Sequence, residues 1–169
     1  YNGAEGMPSK EVLQADGHTH STKYYPGVGF LVARKAHLSL LRARMVYHRL
    51  AFLVFDMVGG LLAVINVYFS HSGSSKEEKA ECVQFIYAVF KELGDFLMVL
   101  LIGDDNLRLE LRRVGEEELL GPYVFGQGET GLEAAGRGSR ESRLIWIRIA
   151  REHSLVHLNS RFRHGPRQQ

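Results

Sequence analysis

The sequence has one cysteine, four prolines, one tryptophan and almost no net charge, +2 at pH 7 over 169 residues. Each shortage removes a class of protein. The single Cys82 cannot build an internal disulfide framework, and it fits a reducing compartment. Four prolines beside eighteen glycines exclude collagen-like and proline-rich disordered sequence, and leave a chain with many turns. No apolar run reaches the about 20 residues that a membrane span needs. A signal-peptide pattern is missing too, and the opening Tyr1-Asn2-Gly3, without methionine, reads as the start of a fragment. A charge of +2 does not by itself argue for nucleic acid.

What is present describes a globular chain of one domain, or a large piece of one. Hydrophobic residues make up 45% and charged residues 24%, enough for a real core. The charges are unevenly spread. Arg34, Lys35, Arg42, Arg44 and Arg49 fall in a stretch without acids, and eight arginines follow from Arg137 onward against Glu141 and Glu152. Between them lie Asp104, Asp105, Glu110, Glu116, Glu117 and Glu118. Basic flanks around an acidic centre suit a metal site acting on a polyanion. A solvated surface of mixed sign gives the same pattern.

The stretch from Phe96 to Ile102 is apolar throughout and stops at Gly103-Asp104-Asp105-Asn106. Its length and bounding glycines predict a strand buried on both faces, delivering carboxylates to a sheet rim where α/β folds bind ligands. Ahead of it, strands are predicted at 27–33, 50–55 and 61–69, the last two joined by a hairpin across Asp56 to Gly60. The stretch from Leu38 to Met45 is ambiguous. Ser75 and Glu78 read as a capping box, with Cys82, Phe85, Ile86, Val89, Phe90 and Leu93 at helical spacing behind it and Gly94 as the stop. Residues 107–140 read as a long charged loop with a short helix near 114–119, followed by a helix from Glu141 to Glu152 and a short strand, Leu155 to Leu158. Residues 1–27 read as loops, and His18-Thr19-His20 as exposed loop rather than half a metal site.

Two motifs are weak on their own. Gly126-Gln127-Gly128-Glu129-Thr130-Gly131 matches G-x-G-x-x-G, but no long buried strand precedes it. Gly103-Asp104-Asp105 after an apolar strand resembles the metal-binding turn of RNA-dependent polymerases, but Asp56 stands too close to Ser72-Gly73 for the first polymerase motif.

A longer series of segments points elsewhere. Gly27 to Val32, Arg49-Leu50-Ala51-Phe52, Ile65-Asn66-Val67-Tyr68, Ile102 to Asn106 and Ser142 to Phe162, in that order, resemble the endonuclease/exonuclease/phosphatase superfamily, nearest its retrotransposon-type, craniofacial development protein 2-like branch. The resemblance implies a two-sheet α/β sandwich that hydrolyses phosphoester bonds with a divalent metal, usually Mg2+. It implies that Asp104 orients or deprotonates the attacking water, that Asn106 helps place phosphate and metal, and that the Tyr68 hydroxyl lies near the scissile phosphate. Asn66, Arg49 and His71 would line the substrate, and Asp104 and Asn106 would be the metal ligands. The implied partner is nucleic acid, DNA before RNA, with no membrane, in an intracellular and nuclear setting.

The chain departs from that pattern at several places. Asp105 stands where the family has Phe or Leu, and a second carboxylate there adds repulsion toward phosphate unless it points away or binds metal. Phe69-Ser70 follows Tyr68 in place of a small residue and proline. The early metal-binding glutamate has no match before Gly27, and the closing Ser-Asp-His has none before Gln169. The expectation is therefore a partial domain of weak or no activity. The alternatives are a non-catalytic remnant that binds nucleic acid or protein, and, more remotely, a fragment of a polymerase palm.

Overall fold

The computed structural model describes residues 27–94, 98–124 and 128–162. The predicted loops and histidines of residues 1–26 lie outside them. The fold is α/β, with a four-stranded mixed sheet in the order β1-β2-β3-β4. The strands are β1 (Leu40–Tyr47), β2 (Leu50–Met57), β3 (Gly60–Tyr68) and β4 (Met98–Asp104). The helices are α1 (Arg34–His37), α2 (Lys76–Leu93), α3 (Gly128–Ala134) and α4 (Arg137–Glu152). Contacts divide the chain into two compact units: residues through Tyr68 with Gln84–Asp104, and Phe69–Val83 with Asp105 onward.

In the first unit β1, β2 and β3 form an antiparallel meander, and β4 returns parallel to β3. Leu50 to Phe55, the six-residue apolar core of β2, is buried throughout. β3 alternates as a half-covered strand does, with Ala63, Ile65 and Val67 buried and the even positions between them half-buried. Leu50, Phe52 and Val54 share the buried face, because each pairs with one of those three residues. The second half of α2 covers it. Ile86, Val89 and Leu93 are buried, Phe85 stacks on Tyr47 at 4.7 Å, and Glu92 accepts hydrogen bonds from Arg42 and Arg44 of β1. Arg42 also lies over the Phe52 ring at 5.3 Å.

The second unit holds the start of α2, where the capping box forms as the sequence predicts. Ser75 Oγ accepts the Glu78 amide at 3.1 Å, and Glu78 Oε2 accepts the Ser75 amide at 3.2 Å. The core of this unit sits on α4, whose Trp146, Ile147 and Ile149 are buried. Phe69 packs on Trp146 with ring centroids 5.6 Å apart, and Leu119 and Leu120 cluster with Ile147. The long connection after β4 is held by side chains from further along the chain: Arg151 donates to the Gly115 carbonyl, Arg161 to the Glu117 and Glu118 carbonyls, and Arg143 makes the most bonds. Arg143, 2% exposed, donates to the carbonyls of Leu109 and Leu111 and to both oxygens of Glu116. Polar backbone in a loop this long must find partners, and a buried guanidinium with five donors supplies them.

Several sequence expectations are corrected. Residues 27–33 form no strand: Leu31 is fully exposed, and the chain turns into α1 at Arg34. The ambiguous stretch is β1, whose two register shifts hide its alternation. The hairpin loop is only Val58-Gly59, because Met57 already pairs with Gly60. Residues 114–119 are turns rather than helix, and α3 occupies part of the predicted loop. α4 begins one turn early, at Arg137. The predicted strand 155–158 reduces to one parallel bridge, Leu120 to His157. β4 is not buried on both faces. It is the outer strand of the described sheet, with Met98 57% and Ile102 45% exposed.

Candidate functional site

Tyr68 ends β3 and Asp104 ends β4, and the two are register partners in the parallel pair. Side chains of paired residues share a face, so both project from the same side at the carboxyl ends of adjacent parallel strands. Gly103 makes that close arrangement possible. Its φ is +123°, and a Cβ there would stand 2.0 Å from the Val67 carbonyl oxygen and 2.8 Å from Asn66 Oδ1. Asn66 lies on the same face as Tyr68 and donates its amide to the Gly29 carbonyl at 2.8 Å. Arg49 accepts the Tyr68 amide on its carbonyl at 2.9 Å, and its guanidinium lies 5.7 Å from the centre of the Tyr68 ring. Asn66, Arg49, Tyr68 and Asp104 are thus four predicted site residues within one compact unit. The Asp104 carboxylate is exposed, while Tyr68 is half-buried.

The remaining predicted residues belong to the second unit. Asn106 has φ +50° and donates its amide to the Phe69 carbonyl at 2.8 Å. His71 is exposed in a turn, and its Nδ1 accepts the Gly73 amide at 3.0 Å. Asp105, predicted as a repulsive neighbour, uses its side chain locally. Oδ1 accepts the Leu107 amide at 3.2 Å, and Oδ2 stands 3.8 Å from Nε2 of His157. A protonated His157 would offset the Asp105 charge.

His157 and Arg143 escaped sequence reasoning. His157 lay inside a predicted strand, and its relation to Asp105 spans 52 positions. Arg143 lay on a predicted helix, but helical spacing alone does not distinguish a buried arginine from a solvated one.

The magnesium ligands that the resemblance implies are Asp104 and Asn106, with Asp105 between them in the chain. Magnesium demands near-octahedral oxygen ligands at short distance. Asp104 brings one carboxylate to the strand ends, Asp105 accepts an amide and faces an imidazole, and Asn106 donates its nitrogen to Phe69, whereas a metal would take its oxygen. Among the described residues, no three His, Cys, Asp or Glu side chains gather into a metal-holding group. No helix of the described residues is long and apolar enough to cross a membrane. Compared with protein-family models, curated proteins and solved structures, the chain matches none.

Proposed function

We propose that the chain is an endonuclease-type phosphodiester hydrolase domain, with nucleic acid as its partner and with little or no catalysis of its own. One observation supports this reading above the others: a tyrosine and an aspartate paired at the carboxyl ends of adjacent parallel strands, behind a glycine that admits no side chain. A carboxylate at such a rim can aim a water at a phosphate, and a phenol hydroxyl beside it can donate to a phosphate oxygen. The four-stranded mixed sheet with helix on one face is what half of a two-sheet sandwich requires, and we read it so. The weak activity follows from the donor set: groups acting as a unit fail together when members are missing.

A second reading is favoured by the bonds of Asp105 and Asn106. Side chains committed to turn geometry suit a remnant that keeps the fold and binds nucleic acid or protein without cleaving it.

Plasmid DNA incubated with the protein, with and without Mg2+, tests the proposal, together with a salt series of DNA binding. We expect nicking near background and measurable, salt-sensitive binding. Robust nicking abolished by Asp104→Ala would show a complete active site and overturn the expectation of weak activity. Absence of both nicking and DNA binding would remove the phosphodiesterase reading itself.

A further inference from the structure

α4 has two faces of opposite character. Trp146, Ile147 and Ile149 are buried in the core of the second unit. The outward face carries Arg137, Arg140, Leu144, Arg148 and Arg151, all exposed. Spaced three, four, four and three residues apart, they stay within about 80° of one another around the helix. They form one straight row, about 21 Å long. Every charge in that row is an arginine.

The row keeps most of its charge. Arg137 bonds Glu141 at 3.0 Å, an exposed pair one turn apart, and such pairs hold weakly. Arg151 gives one N–H to the Gly115 carbonyl at 3.3 Å, a neutral partner that leaves the guanidinium charge in place. On that side of the helix, the bonds from Arg143 to Leu111 and from Arg151 to Gly115 hold a turn that carries the exposed Arg112 and Arg113. Acids stand at the margins. Glu141 and Glu152 border the row on its other side, and Glu117 and Glu118 follow the turn, where Arg161 donates to both their carbonyls.

We propose that the outer face of α4 is a docking surface for the phosphate backbone of duplex DNA. The proposal rests on the reading that nucleic acid is the partner, and adds a surface on a different unit from Tyr68 and Asp104. Charge and shape select the occupant. A strand of DNA carries one phosphate about every 3.4 Å along its axis, so a row of about 21 Å meets about six of them. A guanidinium offers two parallel N–H groups to a phosphate, which an ammonium does not. An anionic membrane fits poorly, because the apolar face of α4 is spent in the core and Leu144 alone cannot anchor in lipid. Single-stranded nucleic acid fits poorly as well, since the row has no aromatic ring for a base to stack on. It has no hydroxyl or amide side chain to read a ribose 2′-OH. Contact with a duplex backbone, which carries no sequence information, needs none of these.

Fluorescence anisotropy of a labelled duplex of about 20 base pairs, titrated with the full chain across a salt series, tests this. We expect Arg140→Gln/Arg148→Gln to weaken binding at least about tenfold near 0.1 M salt, and to reduce the slope of log K against log salt by about two. Leu144→Arg fills the gap in the row and should tighten binding and steepen the slope by about one. Lys76→Gln/Lys91→Gln removes the same charge from exposed positions of α2 and should leave the slope unchanged. Circular dichroism verifies the fold of each variant. If the arginine variant binds like the wild type, or the lysine variant loses as much, the assignment to α4 falls while nucleic acid remains the partner. No DNA binding by the wild type removes that partner, and this surface with it. Polyglutamate or phosphatidylserine vesicles that displace the duplex at a lower charge concentration than unlabelled DNA would assign the row to an acidic protein or a lipid surface, and overturn the proposal.

Discussion

The guanidinium of Arg143 and the carboxylate of Glu116 meet in two hydrogen bonds of 2.9 and 2.6 Å, with both side chains buried. The same guanidinium holds the Leu109 and Leu111 carbonyls at 3.1 and 3.0 Å. One helix residue thereby holds the 109–116 part of a loop that has almost no regular structure. Removing one member of a buried pair leaves the other charged and unsolvated, at a cost of about 3–5 kcal/mol. Arg143→Ala should lose at least that much in urea unfolding. Arg143→Lys should recover little of it, because an ammonium cannot reach two oxygens and two carbonyls in one plane. A loss under about 1 kcal/mol would show that the loop is held by other contacts.

Acid should lower the stability of this protein in two steps. Burial holds His153 below its usual 6.5, against the raising effect of Glu152. Between the lowered value and 6.5 the unfolded chain binds a proton that the folded chain refuses, so stability falls as pH drops below about 6.5. Burial pushes the Glu116 carboxyl up, but hydrogen bonds from Arg143 and the Arg113 amide, with the charges of both arginines, outweigh it and bring it below 4.5. Its contribution is complete above 4.5 and is lost as pH falls through the lower folded value. Urea midpoints measured from pH 8 to 3 should show both declines. His153→Gln should remove the first, and Glu116→Gln should flatten the second.

Gly103→Ala and Gly59→Ala separate steric clash from backbone strain. Both glycines have positive φ, +123° and +97°, but a Cβ at Gly59 meets nothing within 4 Å. Gly59→Ala should therefore cost only the strain, about 1–2 kcal/mol. At Gly103 the Cβ would lie 2.0 Å from a backbone oxygen of β3, so β4 must move or unpair. The expected loss is several kcal/mol, about twice that of Gly59→Ala or more. Equal losses would mean that the strand ends at Tyr68 and Asp104 are loosely held.

Much of the first unit was legible because its signals are local. The β2–β3 hairpin follows from two apolar runs and a glycine-bearing turn, and α2 from a capping box and an apolar stripe. β1 was obscured because two register shifts break a period of two and Arg42 and Arg44 occupy positions facing a helix rather than solvent. The exposure of β4 was misread because an apolar run reports what a strand needs, not what stands beside it. In the second unit, residues 105–121 gave no periodic signal, since the side chains that hold them, Arg143, Arg151, Ser160 and Arg161, lie at least 22 positions downstream. The pairing of Tyr68 with Asp104 is a matter of register, which the segments of the resemblance anticipated in order but not in contact.

Asn106 separates the catalytic reading from the structural one. Its backbone sits at φ +50°, which asparagine tolerates better than most residues, and its amide reaches the Phe69 carbonyl. If that bond is its main role, Asn106→Ala should lose about 1–2 kcal/mol, from the hydrogen bond and from alanine's aversion to positive φ. Asn106→Gly should recover the backbone part and keep the loss of the bond. Asn106→Asp should be the worst of the three, because it replaces a donor with a carboxylate facing a carbonyl oxygen and adds a third negative charge after Asp104 and Asp105. Adding Asp104→Asn to Asn106→Asp should then recover part of the stability by relieving that repulsion. Urea unfolding at low and high salt measures the series, and salt should narrow the gap between Asn106→Asp and Asn106→Ala. If all three single variants fold as stably as the wild type, the bond to Phe69 is incidental. The Asn106 side chain would then belong to ligand binding rather than to the turn, and DNA binding by Asn106→Ala would be the measurement to show it.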